Sequence, residues 1–189
     1  MIIDRTISTI FTSPGVFTPA IKALNGILQL SVVVRNVPIL CKVQQAFDAV
    51  LDVFLCVREL PNEVRGVILH SPGQSQSLVV SNIIFCAGTI LETTVVLERW
   101  NLIRITNSVF QVARARFLTP LFVVGWGADL VDAIRTYQIS KSTSKEAYRI
   151  ANDMLAIVSA AWMVVCPTVP VIPMSLYVIR QICNCARAL

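Results

Sequence analysis

The chain has 189 residues, of which 55% are hydrophobic and 14% charged, with a mean hydropathy of +0.70. Water-soluble globular chains carry roughly 25% charged residues, so this composition points to a membrane-embedded protein, while 7 glycines and 9 prolines exclude a flexible or collagenous chain. The formal net charge is +5, and arginine supplies most of the basic residues, which suits phosphate or anionic headgroup contacts better than plain solubility.

Residues 1–20 are rich in Ser and Thr (Thr6, Ser8, Thr9, Thr12, Ser13, Thr18), and Asp4 with Arg5 leaves the start almost neutral. No compact apolar core follows a basic region, so a cleaved secretory signal is not expected. A flexible segment is expected there instead. Periodic apolar positions begin near Ile21 and continue to Val43, yet the charge-free core between Lys22 and Arg35 is short of the about 20 residues a span requires. An interfacial or protein-packed helix is expected, kinked or ended by Pro38. From Gln44 to Leu60 an acidic stripe (Gln45, Asp48, Asp52, Glu59) opposes an apolar face (Phe47, Val50, Leu51, Phe54, Val57), which predicts an amphipathic helix closed by Pro61 and Asn62. His70 falls in the following turn.

Leu78–Leu97 is the best conventional span, with Glu92 as its one charge. An intramembrane carboxylate is either a functional group or a helix end reaching water, and the second reading is preferred here. Glu98, Arg99 and Trp100 mark the interface. Arg99, Arg104, Arg114 and Arg116 alternate with apolar residues, a pattern suited to contact with lipid headgroups more than to a nucleic-acid patch. Phe117–Ala128 is apolar but broken by Thr119, Pro120, Gly125 and Gly127, and Asp129, Asp132 and Arg135 then place a polar stripe on a helix continuing to Tyr137, too short to cross by itself. Gly125-Trp126-Gly127 lacks the context of a dinucleotide fingerprint and indicates close helix packing.

Thr143 to Glu146 has capping-box spacing and starts a helix that runs to Val165. It leads into a charge-free stretch from Met154 to Ile179 that contains Pro167, Pro170 and Pro173. Three prolines at intervals of three disfavour a single straight helix and predict a bend between two apolar arms, a hairpin that enters the bilayer and returns. An irregular single span is the alternative. Met174–Ala188 resumes helical spacing, and Cys183 and Cys185 beside Arg180 and Arg187 are candidates for acylation, with two reduced thiols at a helix end as the plainer reading. The six cysteines imply no disulfide framework.

No catalytic constellation is present: one histidine, no His-Glu-x-x-His, no phosphate-binding glycine loop and no Cys-x-x-Cys. An enzyme is not expected, nor a cofactor or metal. The fold class is all-α: a membrane-embedded bundle of short apolar and amphipathic helices, residues 21–189 forming one helical domain with a Pro-broken hairpin near its C-terminal end.

An uncleaved Ser/Thr-rich start at residues 1–20, small size, paired apolar lobes at 154–179 and basic ends together resemble the chlamydial inclusion membrane proteins. That resemblance implies type III secretion through the first 20 residues and insertion into a host vacuole membrane by the hairpin. It also implies ends facing the host cytosol, with host cytosolic or organelle proteins and lipid as partners. A homo-oligomer, a small transport or pore-forming subunit using Glu92, and a soluble helical oligomer are the competing expectations.

Overall fold

The computed structural model describes residues 14–35, 37–69, 73–140, 144–166 and 168–188. His70, Thr143, Pro167 and the first 13 residues, all singled out above, lie outside them. Among the described residues the fold is all-helical: α1 Pro14–Arg35, α2 Pro38–Phe54, a π-helical segment Leu55–Glu59, α3 Leu60–Ile68, α4 Gln76–Arg99, α5 Ser108–Ser140, α6 Ser144–Val165 and α7 Val171–Ala188. Four of these are long and apolar enough to cross a membrane: Val16–Arg35 in α1, α4, Ser108–Ile139 in α5, and α6. The chain divides into two compact units, residues 1–48 with 133–189 and residues 49–132.

In the first unit, α7 lies between α1 and α6. Ser159 Oγ donates to the Pro173 carbonyl at 3.2 Å, and Arg180 Nε donates to Asn152 Oδ1 at 3.0 Å. A step of seven residues back along α6 therefore matches seven forward along α7, so the two helices run antiparallel on either side of residues 166–170. The same holds between α1 and α7, where Cys185 Sγ approaches the Val16 carbonyl at 3.9 Å and Gly26 faces Tyr177 and Val178. A Cβ at Gly26 would stand 2.8 Å from Val178 Cγ2, so only glycine permits this approach. Antiparallel twice over, α1 and α6 are parallel to each other.

In the second unit, α4 and α5 form a long antiparallel pair. Ser75 accepts from the Leu78 amide as N-cap of α4, and its hydroxyl also donates to Asp132. Ser81 Oγ donates to the Gly125 carbonyl at 3.1 Å, Gly88 faces the Phe122 ring, and Arg114 pairs with Glu98 at 2.6 Å. Phe85, Phe122 and Trp126 cluster between them with centroids 5.7–6.4 Å apart, Phe122 stacked on Trp126 and Phe85 tilted against both. The reversal between the helices is built by asparagines. Asn101 adopts φ 57°, while the Leu102 amide donates to the Leu97 carbonyl and the Asn101 amide to that of Glu98, which is a Schellman stop. Asn107 Oδ1 then accepts from the Phe110 amide and caps α5.

Several boundaries differ from the sequence expectation; the amphipathic helix, for one, begins at Pro38 and not at Gln44. Helix α1 starts at Pro14, seven residues before the periodic signal, because proline is preset for a first helical turn where no amide partner exists. Pro61 does not close the amphipathic helix. The Leu60 amide reaches back five residues to the Leu55 carbonyl, and this π turn takes up the register slip around the proline so that helix continues to Ile68. Phe117–Ala128, expected as a short broken segment, is the middle of the 33-residue α5. One proline forfeits a single backbone bond, and the turns on both sides of Pro120 keep theirs.

The distribution of side chains inverts that of a water-soluble domain. The buried apolar residues are small (Val16, Ala23, Val96, Ala133, Ala156, Ala160), and they are joined by buried Asn25, Ser81, Thr89, Thr93, Asn152, Asp153 and Gln181. Large aliphatic and aromatic residues point outward on all the long apolar helices, among them Leu24, Ile83, Phe117, Val124 and Val164.

Candidate functional site

The strongest concentration of buried polarity lies in the first unit, on one level of the three-helix layer. Asp153 is 1% exposed and accepts from Asn152 Nδ2 at 3.0 Å, while Asn152 Oδ1 accepts from Arg180. The Asp153 charge also acts on the Arg180 guanidinium directly. Gln181, next to Arg180, is buried as well. The register of α1 on α7 brings Asn25 to the same height; its Nδ2 donates to Asp48 Oδ1 at 2.8 Å, and Asp48 receives a second bond from Gln44. Two hydrogen-bonded clusters, Asn25–Asp48–Gln44 from α1 and α2 and Asp153–Asn152–Arg180 from α6 and α7, thus lie at one level of the first unit. Low polarity around such clusters raises the cost of breaking any of their bonds.

Sequence alone singles out none of these residues as a site. Asn152 and Asp153 lie in the helix that starts at the capping box, and Arg180 stands beside the candidate acylation cysteines. The signal that locates them is spacing: Asp153 and Arg180 stand at matching distances on either side of the Cys166-Pro167 bond, as the two arms of a closed hairpin require.

The four arginines expected at headgroups fall into two groups. Arg99 pairs with Asp52 at 2.6 Å while remaining 57% exposed, and Arg114 is held by Glu98 and Thr94. Arg104 and Arg116 are exposed, and Arg104 with Glu98, Asn101 and Gln111 lines an open depression at the α4–α5 reversal. Glu92 is half-buried in the last third of α4 and is engaged by its surroundings. Cys183 and Cys185 are half-buried on α7. Pro170 precedes the first residue of α7 and Pro173 sits in its first turn, so both lie where α6 gives way to α7.

Chemically, this level offers two carboxylates (Asp48 and Asp153), one guanidinium and four amides within a helix bundle. Among the described residues no group of His, Cys, Asp and Glu has the makings of a metal site. The arrangement can hold helices in register and carry a neutralised charge pair in apolar surroundings. No family model, curated protein or solved structure matches the chain.

Proposed function

We propose that the protein is a non-enzymatic integral membrane protein that acts by anchoring in a membrane and presenting helical surface there to lipid and to other proteins. The single observation that carries this reading is the inverted side-chain distribution: small and polar residues at helix contacts, large apolar ones outside. In water the hydrophobic effect drives large apolar side chains inward. In lipid that driving force is absent, and close approach of small residues with interhelical hydrogen bonds takes over. Gly26, Gly88, Gly125 and Ser81 occupy just such contacts.

The finer reading is a secreted effector inserted in a host-facing vacuole or organelle membrane, with host cytosolic or organelle proteins as partners. The Ser/Thr-rich first 20 residues support it as a candidate type III signal, and exposed Arg104 and Arg116 support headgroup contact. Alkaline carbonate extraction tests the core of the proposal. Retention of the chain in the pellet is the expected result, and recovery as a monodisperse, detergent-free soluble oligomer would overturn it.

A further inference from the structure

We infer that the depression at the α4–α5 reversal is a binding site for the phosphate of an anionic glycerophospholipid, held by Arg104. The inference rests on the membrane reading above and narrows headgroup contact to one site and one class of lipid. All of its residues belong to the second unit.

Charge comes first. Between Glu98 and Asp129 the chain has no carboxylate, while Arg99, Arg104, Arg114 and Arg116 fall in that interval. Two of these charges are answered: Arg99 by Asp52 and Arg114 by Glu98, each at 2.6 Å. Arg104 is exposed and makes no hydrogen bond or ion pair among the described residues. Both Glu98 and Arg104 line the depression. Because Arg114 neutralises the carboxylate, Arg104 is left as the uncompensated charge there.

The surrounding backbone is fixed before any ligand arrives. Asn101 turns the chain out of α4 at φ 57°, and the Leu97 carbonyl accepts from the Leu102 amide at 2.9 Å and the Ile103 amide at 3.4 Å. Ile105 is then clamped from both helices. Its amide donates to Glu98 Oε1 at 3.3 Å, and its carbonyl accepts from Gln111 Nε2 at 2.7 Å. A ligand therefore meets a formed wall that needs little further ordering. The depression measures about 530 Å³, within the range of about 300–1,000 Å³ usual for small-molecule sites.

Its lining selects a lipid over a free ion. Arg104, Asn101 and Thr106 supply polar groups, and Ile103 and Ile105 supply an apolar complement. A guanidinium presents two parallel N–H donors to phosphate oxygens, which leaves the glycerol and the first acyl carbons for the apolar side. Location agrees with this. The 24 residues of α4 measure about 36 Å at 1.5 Å per residue, against about 30 Å of hydrocarbon. Its C-terminal end, where exposed Trp100 follows Arg99, therefore stands at headgroup height once the helix spans, and the depression opens there. One uncompensated positive charge matches the single negative charge of a phosphodiester with an uncharged headgroup. A zwitterionic lipid brings a cation that Arg104 repels.

Titration of the full-length protein in neutral detergent with phosphatidylglycerol or phosphatidylcholine, read by native mass spectrometry, tests the site. Phosphatidylglycerol is expected to bind in preference, and Arg104→Gln should weaken it at least about tenfold through lost charge-assisted hydrogen bonds. Arg116→Gln removes the same charge outside the depression and should weaken it less than about twofold, since an exposed charge acting at a distance is screened. Equal losses in the two variants, or none in Arg104→Gln, overturn the site. Glycerophosphoglycerol carries the same phosphodiester without acyl chains and should compete about a hundredfold less well. Equal competition overturns the lipid assignment in favour of a soluble phosphate ester. The unfolding midpoint of Arg104→Gln should match that of the unmodified protein, and a lowered midpoint would make Arg104 a structural residue and overturn its role as the phosphate ligand. Carbonate extraction decides the membrane reading separately: a chain retained in the pellet without Arg104-dependent lipid binding overturns this inference alone.

Discussion

Arg180 donates from Nε to Asn152 Oδ1 at 3.0 Å, and Asn152 in turn donates to buried Asp153, so one amide links the guanidinium of α7 to the carboxylate of α6. Hydrogen bonds to charged groups contribute about 1.5–3 kcal/mol, and removing one partner leaves the other desolvated. Asn152→Ala is expected to lower the stability of the purified protein by about 2 kcal/mol, read as the midpoint of reversible unfolding in detergent. The triple change Asn152→Leu, Asp153→Leu, Arg180→Met should recover much of the loss, because apolar replacement of a whole buried polar set is often neutral or better. A triple variant less stable than the single one would show that the layer contributes net stability as a unit.

Gly125 and Gly127 separate by neighbours. A Cβ at Gly125 would meet Phe85 Cε1 at 2.8 Å and Ile84 Cγ2 at 3.1 Å, whereas at Gly127 it would meet nothing within 4 Å. Gly125→Ala is expected to cost about 1–3 kcal/mol through overpacking. Gly127→Ala should instead stabilise by up to about 1 kcal/mol, since alanine is the better helix former. Unfolding midpoints of the two variants should therefore move in opposite directions.

That pair also shows how much the sequence disclosed. The Gly-Trp-Gly triplet signals close packing, and hydropathy locates the apolar stretch of α4, because both depend on residues near one another in the chain. Helix α5 is harder to see. Pro120 and two glycines resemble breakers, and only contacts with Ser81, Phe85 and Gly88 from α4 make their placement within a helix intelligible. The hairpin of α6 and α7 is legible from the prolines. Asn152 and Arg180 are not, because nothing local distinguishes a buried polar residue from a solvated one until its partner 28 residues away is known. The arginines illustrate the same limit: Arg104 and Arg114 look alike in sequence, yet one is exposed and the other is paired with Glu98.

The two ion pairs of the second unit should respond differently to mutation. Arg114 and Glu98 are 14% and 20% exposed, and Thr94 adds a bond to the guanidinium. Arg99 is 57% exposed, so its guanidinium stays hydrated although the Asp52 carboxylate it meets is 14% exposed. Asp52→Asn is expected to cost less than about 1 kcal/mol and to lose that effect in high salt. Glu98→Gln should cost more and remain costly at high salt, because the Arg114 charge stays partly desolvated. Unfolding midpoints at low and high salt check both expectations.

Cys56, in the π-helical segment, has a thiol pKa raised first by burial and second by the nearby Asp52 carboxylate. The thiolate is the reactive form, so a raised pKa means less of it at neutral pH and slower alkylation. Neutralising the carboxylate removes the smaller of the two causes. In a variant retaining Cys56 alone, Asp52→Asn is expected to speed maleimide labelling modestly and to shift the rate profile toward lower pH. An unchanged profile would leave burial as the whole cause.

The prolines at the start of α7 provide a last contrast. Pro170 immediately precedes Val171, and the Met174 amide donates to the Pro170 carbonyl at 3.2 Å, which closes the first turn. Pro173 lies within that turn, where amides have no intrahelical acceptor, so its missing N–H forfeits nothing. Pro170→Ala and Pro173→Ala are each expected to change stability by less than about 1 kcal/mol, the ordinary range for a substitution that touches no special feature. Two residues further on, the amide of Ser175 falls where α-helical bonding requires a donor to the Val171 carbonyl. Ser175→Pro removes that donor and sets the ring against the same carbonyl, at a cost of about 3 kcal/mol or more. Circular dichroism melting of the three variants in one detergent checks the ordering, and a Pro173→Ala loss as large as that of Ser175→Pro would mean that the proline itself holds the bend.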